Sequence, residues 1–168
     1  MNALVMSHEV GESNQYLTFS VFGQAMAISI ADVKEIIETV NMTRVPMSNP
    51  CIRGVINLRG NVVPVADLGC RLNGRSTPID KRSCIVLVEV QSNDESQVMG
   101  MLVEEVKEIV TIEPENIQER PEFGSEIRTE FIRHIGRREN NFIIVLDLQP
   151  VLSIDELAVL SDESSSTS

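Results

Sequence analysis

Ile52-Arg53-Gly54-Val55-Ile56-Asn57-Leu58-Arg59-Gly60-Asn61-Val62-Val63-Pro64-Val65-Ala66-Asp67-Leu68 is the stretch that decides the fold, because the chain contains a second version of it. Ile132–Leu148 aligns to it without a gap, sharing Ile, Arg, Asn, Val, Asp and Leu at six places. Upstream, Ala31–Ile37 matches Glu104–Val110, with Val-Lys-Glu-Ile identical in both. The order is the same and the offsets, 80 and 73 residues, are similar, so the pattern points to a duplicated unit. Each copy reads as a hairpin, a short turn, a strand bearing Val-x-Glu-Ile and a second hairpin ending in Val-x-Asp-Leu. Neither is large enough to be comfortably stable alone, and a buried seam between two small barrels would supply the missing core.

Composition agrees with short strands. The 168 residues include 20 Val and 17 Ile, whose branched side chains suit a pleated surface, while aromatics make up 4%. The expected fold class is all-β. Strands are expected over Tyr16–Val21, Ala25–Ile30, Ile52–Leu58, Val62–Ala66, Cys84–Val90, Gln97–Val103, Phe131–Gly136 and Phe142–Leu146. Gly60-Asn61 is read as a two-residue hairpin turn with glycine first. The Val-Lys-Glu-Ile segments fit both a helical and a strand period, and a turn followed by a strand is preferred. Thr111–Glu130 reads as an extended, structured connection. Ser153-Ile154-Asp155-Glu156 has capping-box spacing, and Ile154, Leu157 and Leu160 then suggest a short C-terminal helix lying on a barrel. The expected organisation is a flexible tail over 1–14, one domain over 15–160 with repeat segments of about 16–72 and 84–152, and a disordered acidic, serine-rich tail over 161–168. Whether the barrels exchange strands is left open.

A net charge of −11 argues against nucleic acid as a partner. No apolar run is long enough for a membrane-spanning helix, and the first residues lack a secretory pattern, so a cytoplasmic protein is expected. Cys51, Cys70 and Cys84 are odd in number and lack metal-ligand spacing, so core thiols are preferred to a disulfide or a metal site. No nucleophile motif, phosphate loop or metal-binding helix is present, so no catalytic, metal or cofactor residue is assigned. A small-molecule-binding or hydrolytic barrel, with His134 in the chemistry, is the alternative of another class. Arg133, Arg137 and Arg138 form a basic cluster to which no role is given.

Gly54-Val55-Ile56-Asn57-Leu58-Arg59-Gly60, followed by Val63-Pro64-Val65 and Asp67-Leu68, resembles the CheW family of bacterial chemotaxis coupling proteins. Tyr16-Leu17-Thr18-Phe19, Val33-Lys34-Glu35-Ile36, Arg44-Val45-Pro46, Gly100–Val106 and Val145–Leu148 extend the resemblance over most of the chain. It implies two SH3-like five-stranded barrels and a non-enzymatic adaptor that couples transmembrane chemoreceptors to the histidine kinase CheA. It also implies partners in the kinase regulatory domain and the receptor tip, and recruitment to the inner face of the membrane only through receptor arrays. A CheW-like adaptor of a twitching, gliding or surface-sensing pathway is the nearest alternative. Positions matching the family's interaction residues are Val33, Glu35, Gly54, Arg59 and Val106. One departure is His134-Ile135-Gly136, where many relatives carry Gly-x-Gly. Arg59 beside a hairpin turn is expected to pair bidentately with Glu35. Ile36 and Val55 are expected in the core.

Overall fold

The computed structural model describes residues 14–46, 49–92, 94–119, 127–153 and 156–157. In chain order the strands are β1 (Gln15–Val21), β2 (Gln24–Ser29), β3 (Val33–Glu38), β4 (Ile52–Leu58), β5 (Asn61–Asp67), β6 (Cys84–Ser92), β7 (Glu95–Val103), β8 (Glu105–Thr111), β9 (Ile117–Gln118), β10 (Ile132–Arg138) and β11 (Asn141–Leu146). Two short helices, α1 (Leu68–Asn73) and α2 (Leu148–Val151), follow β5 and β11. A 3-10 turn over Ile30–Asp32, capped by Ser29 Oγ accepting from Ala31 N at 3.3 Å, leads directly into β3. That is the turn-then-strand reading of the first Val-Lys-Glu-Ile segment.

The strands form two sheets. One has the order β3-β6-β7-β5-β4 and the other β8-β1-β2-β11-β10-β9. The second therefore adds the two-residue β9 to the five strands expected. Apart from β9, the two orders are the same pattern: β3 corresponds to β8, β6β7 to β1β2, and β4β5 to β10β11. The first hairpin of each sequence copy lies in the sheet built from the rest of the other copy. Each such hairpin joins that sheet through one parallel ladder, β2 to β11 and β7 to β5, and one antiparallel ladder, β1 to β8 and β6 to β3.

This exchange explains the core. Leu17, Phe19, Met26 and Ile28 from one exchanged hairpin join Val86, Val88, Met99 and Met101 from the other in the largest buried cluster. The alternate residues of the same hairpins fill the separate barrel interiors: Tyr16 and Ala27 in one, Ile85, Leu87 and Leu102 in the other. With a side-chain period of two, a strand buried on both faces needs apolar or small residues at successive positions. The run Tyr16–Val21, buried throughout, meets that demand. The seam is thus the main core and not an accessory to it.

Two turn and helix details differ from the sequence reading. Leu58 pairs with Asn61, so the β4–β5 turn is centred on Arg59 and Gly60, at φ +52° and +87°, and not on Gly60-Asn61. Two positive φ values match the right-handed twist of the flanking strands. Helix α1 was not anticipated; Asp67 caps it by accepting from Cys70 N, and Gly74 in the left-handed region ends it. At the C-terminus Ser153 Oγ accepts from Glu156 N at 3.2 Å and Leu157 is buried in the main cluster, so the capping-box spacing does form a capped turn. Ile154 and Leu160 lie outside the described residues, as do the two tails apart from Asn14.

The cysteine reading is overturned for two of three residues. Cys51 and Cys70 form a disulfide with Cα atoms 5.4 Å apart, and Cys84 is free and half-buried. Spacing along the chain hid the pair because a hairpin lies between them. Ile52 pairs with Ala66 across the β4–β5 ladder, so residues just outside its open end are brought together.

Candidate functional site

Glu35 and Arg59 meet as the resemblance implies. Arg59 Nη2 donates to both Glu35 carboxylate oxygens at 3.0 Å. One nitrogen thus serves both oxygens, and the two-nitrogen fork expected from sequence is not formed. Arg59 is held at the hairpin tip, and its side chain is 68% exposed against 38% for Glu35. An ion pair this open to water contributes about 0–1 kcal/mol to stability. Arg59 also occupies a left-handed conformation that glycine adopts without strain. The tip therefore carries a charged donor where the turn alone would favour a smaller residue.

The pair sits at the rim of an open cleft of about 430 Å³, whose lining includes Leu58, Val62, Leu87 and Val98. Val62 beside it is 72% exposed. On β3, the residue between Val33 and Glu35 is bulged out of register, so Val33 packs on the seam cluster whereas Ile37 packs into the barrel interior. A bulge of this kind re-aims side chains, which is why neither simple period described the segment. Ile36 is 42% exposed, against its expected place in the core, because β3 is an edge strand and Ile36 lies on its seam side opposite Val86. Val55 is half-buried.

The other three matching positions do not join Glu35 and Arg59. Gly54 is buried beneath the segment that precedes β4: Thr43 and Val55 exchange backbone hydrogen bonds of 2.8 and 3.0 Å. A Cβ on Gly54 would lie 2.6 Å from the Thr43 carbonyl oxygen, so glycine is required by close backbone approach. Val106 lies on β8 where Val33 lies on β3, both half-buried against the seam cluster. The five positions thus separate into an exposed charged pair at one barrel mouth, two valines at the seam margins and a buried glycine.

The second barrel presents the same place with other chemistry. Its open cleft of about 480 Å³ is lined by Glu108, Arg138, Glu139 and Phe142. Glu108 stands where Glu35 stands, but its ion-pair partner is Arg138 at 3.7 Å, and Glu139 replaces Arg59 at the tip. Phe142 is 53% exposed where Val62 is exposed in the first barrel.

His134 replaces Gly54 in this copy. Its ring meets Tyr16 edge-on, with centroids 6.1 Å apart, and its Nε2 is buried without a hydrogen-bond partner among the described residues. The close approach has moved to Gly136, where a Cβ would come within 2.7 Å of Ile112. Burial, with Arg133 adding to it, holds the imidazole below its ordinary pKa. The contribution of a neutral His134 is therefore full above an ordinary value of about 6.5 and is lost as pH falls towards the lower folded value. His134→Phe should flatten the loss of unfolding free energy as pH falls below about 6.5, measured by urea unfolding at each pH. No group of three His, Cys, Asp or Glu side chains among the described residues could hold a metal ion.

Sequence reasoning missed a buried network at the open end of the β4–β5 hairpin, away from the Arg59 tip. Asp67, fully buried, accepts from Arg53 Nη1 at 2.9 Å, Thr77 N at 2.9 Å and Cys70 N at 3.2 Å, with a further bond from Thr77 Oγ1. The signal was available, since Arg53 and Asp67 are two of the six identities between the copies. In the second copy Arg133 and Asp147 instead line an open cleft with Asp32.

A family model described as the CheW-like domain matches residues 15–156. The chain belongs to the CheW family. A chemotaxis protein CheW of Bacillus subtilis is 33% identical over 147 residues, covering 88% of this chain and 92% of that protein. A probable chemotaxis protein CheW of Rhizobium etli is 32% identical, covering 90% and 97%. The crystal structure of the scaffolding protein TtCheW from Thermoanaerobacter tengcongensis is similar with a TM-score of 0.76 at 28% identity, covering 88% of this chain and 93% of that one. The CheW match spans both sheets, and with them both barrel mouths and the seam.

Proposed function

We propose that this CheW-family chain is a chemotaxis coupling adaptor that holds chemoreceptor tips and a CheA-type histidine kinase in a fixed relation, without chemistry of its own. The observation that carries the reading is the exposed Arg59–Glu35 pair at a strained hairpin tip, beside exposed Val62 and in a chain matched to the family over 15–156. In this reading the first barrel's mouth meets the kinase regulatory domain, which resembles it in fold, and the seam margins at Val33 and Val106 face the receptor. Gly54 acts by shaping the surface above it. Coupling is then a matter of differential binding: each partner biases the other's conformational equilibrium through the shared adaptor. The same reading takes 15–160 as one working unit of two repeats, placed in the cytoplasm and reaching the membrane only through receptors.

Affinity purification of the tagged chain from its native cytoplasm should retain one histidine kinase and at least one chemoreceptor, identified by mass spectrometry. Recovery of neither, together with a saturable thermal shift by a metabolite, would replace the adaptor with a ligand-binding protein.

A further inference from the structure

Cys51 and Cys70 are bonded to each other and half-buried, so neither residue is closed off from solvent. They join the end of the β3–β4 connection to α1 across the open end of the β4–β5 ladder. Cys51 ends the connection from β3 to β4, whose described residues make one bridge to a strand, Thr43 to Val55. The connection carries exposed Val40 and Val45 and lines an open groove of about 790 Å³ with Arg44, Arg53, Ile79 and Asp80. Besides the disulfide, Cys51 is anchored by its carbonyl accepting from Asp67 N at 2.7 Å and its N–H donating to Asn49 Oδ1 at 2.8 Å. Cys70 sits in α1, and α1 is gripped by the C-terminal segment: Arg71 donates to the Val151 and Pro150 carbonyls at 2.7 and 3.1 Å and to Glu156. The covalent link therefore ties the end of the connection, whose upstream anchors include Thr39 Oγ1 donating to the Ser83 carbonyl at 3.1 Å and the Thr43–Val55 bridge, to a helix gripped from the C-terminal side.

We propose that Cys51 and Cys70 are a reversible thiol–disulfide pair that sets how firmly the 39–51 connection is held over β4. Reversibility rests on the adaptor reading, since a cytoplasmic disulfide is ordinarily transient and redox-sensing. In the oxidising direction one cysteine thiolate attacks a low-molecular-weight disulfide and releases one thiolate. The second cysteine then attacks the mixed disulfide and releases the other. Two electrons pass from the protein sulfurs to the small disulfide, the two cysteine protons end on the two released thiols, and reduction by thiols runs the same steps backwards. Cys84 is outside the pair.

The test uses the full chain carrying Cys84→Ser, equilibrated in glutathione buffers from fully reducing to fully oxidising, with thiols trapped by alkylation and read by intact mass. The expected result is interconversion within that range, with loss of two hydrogens on oxidation. Amide hydrogen exchange across 39–51 should be about tenfold faster in the reduced form, while the seam strands stay unchanged. Cys51→Ser should reproduce the reduced pattern under oxidising buffer; if that variant does not fold, the reduced parent supplies the comparison. Thiols that stay free, or stay bonded, at every ratio would overturn the proposal, and so would equal exchange in the two forms. No partner is present in these measurements, so a failed search for kinase and receptor would leave them unchanged and would count against the adaptor reading alone.

Discussion

Asp67→Ala should lower the unfolding free energy by about 3–5 kcal/mol, the range for removing one partner of a buried, hydrogen-bonded charge pair. For a chain of this size that is a fall in Tm of roughly 10 °C. Four donors converge on this carboxylate: Arg53 Nη1, Thr77 N, Thr77 Oγ1 and Cys70 N. Arg53, with a side chain 27% exposed, keeps only a second acceptor, the Thr77 carbonyl at 3.0 Å. The buried Thr77 N–H and the first turn of α1 lose their acceptors outright, and an unsatisfied buried donor costs its full desolvation. Thermal unfolding by circular dichroism, with the equivalent Asp147→Ala alongside, checks it. Asp147 caps α2 through Gln149 N at 3.3 Å but lies beside an open cleft, so its loss should cost only about 1 kcal/mol, as for an ordinary cap. Equal losses at the two positions would show that burial of the first network is not what makes it matter.

The contrast between Asp67 and Asp147 also marks how far the sequence could be read. Strand positions were legible because alternation and β-branching report directly on a pleated, half-buried backbone, and the duplication was legible as order and spacing. Which sheet a hairpin joins was not, because Leu17 and Met99 carry no mark of the sheet whose core they enter; that is decided by long-range pairing. The Cys51–Cys70 contact was hidden for the same reason, since it depends on what lies across a ladder. The close backbone approach at Gly54 is one that a glycine in that stretch already suggests. Ile36 was misplaced because hydrophobicity says that a residue favours burial, and edge position decides whether cover is available. Glu35 with Arg59 was reached through the resemblance, while strand spacing alone left Arg59 a solvated arginine at a turn.

Arg59→Glu is the other large effect, and it falls on binding and not on folding. The substitution removes the donor held at 3.0 Å by Glu35 and places two carboxylates where one pair stood. Both side chains are well exposed, so the folded state should change by no more than about 1 kcal/mol. A partner surface complementary to a positive tip would meet a negative one. Reversing such a charge at an interface costs about 2 kcal/mol or more, roughly a thirtyfold loss of affinity for the kinase regulatory domain. Arg59→Gly separates charge from conformation. At φ +52° glycine relieves the turn, so this variant should be as stable as the parent or more stable by about 0.5–1 kcal/mol. It should nevertheless bind the kinase domain about tenfold more weakly. Calorimetric titration of both variants, with circular dichroism melts on the same samples, decides the matter. Parent-like affinity in both would remove Arg59 from the docking surface, whereas a collapse of the fold would make the tip a structural element. Weaker binding by a more stable protein is the outcome that only a docking role predicts, since a residue kept for the turn would not improve it by leaving.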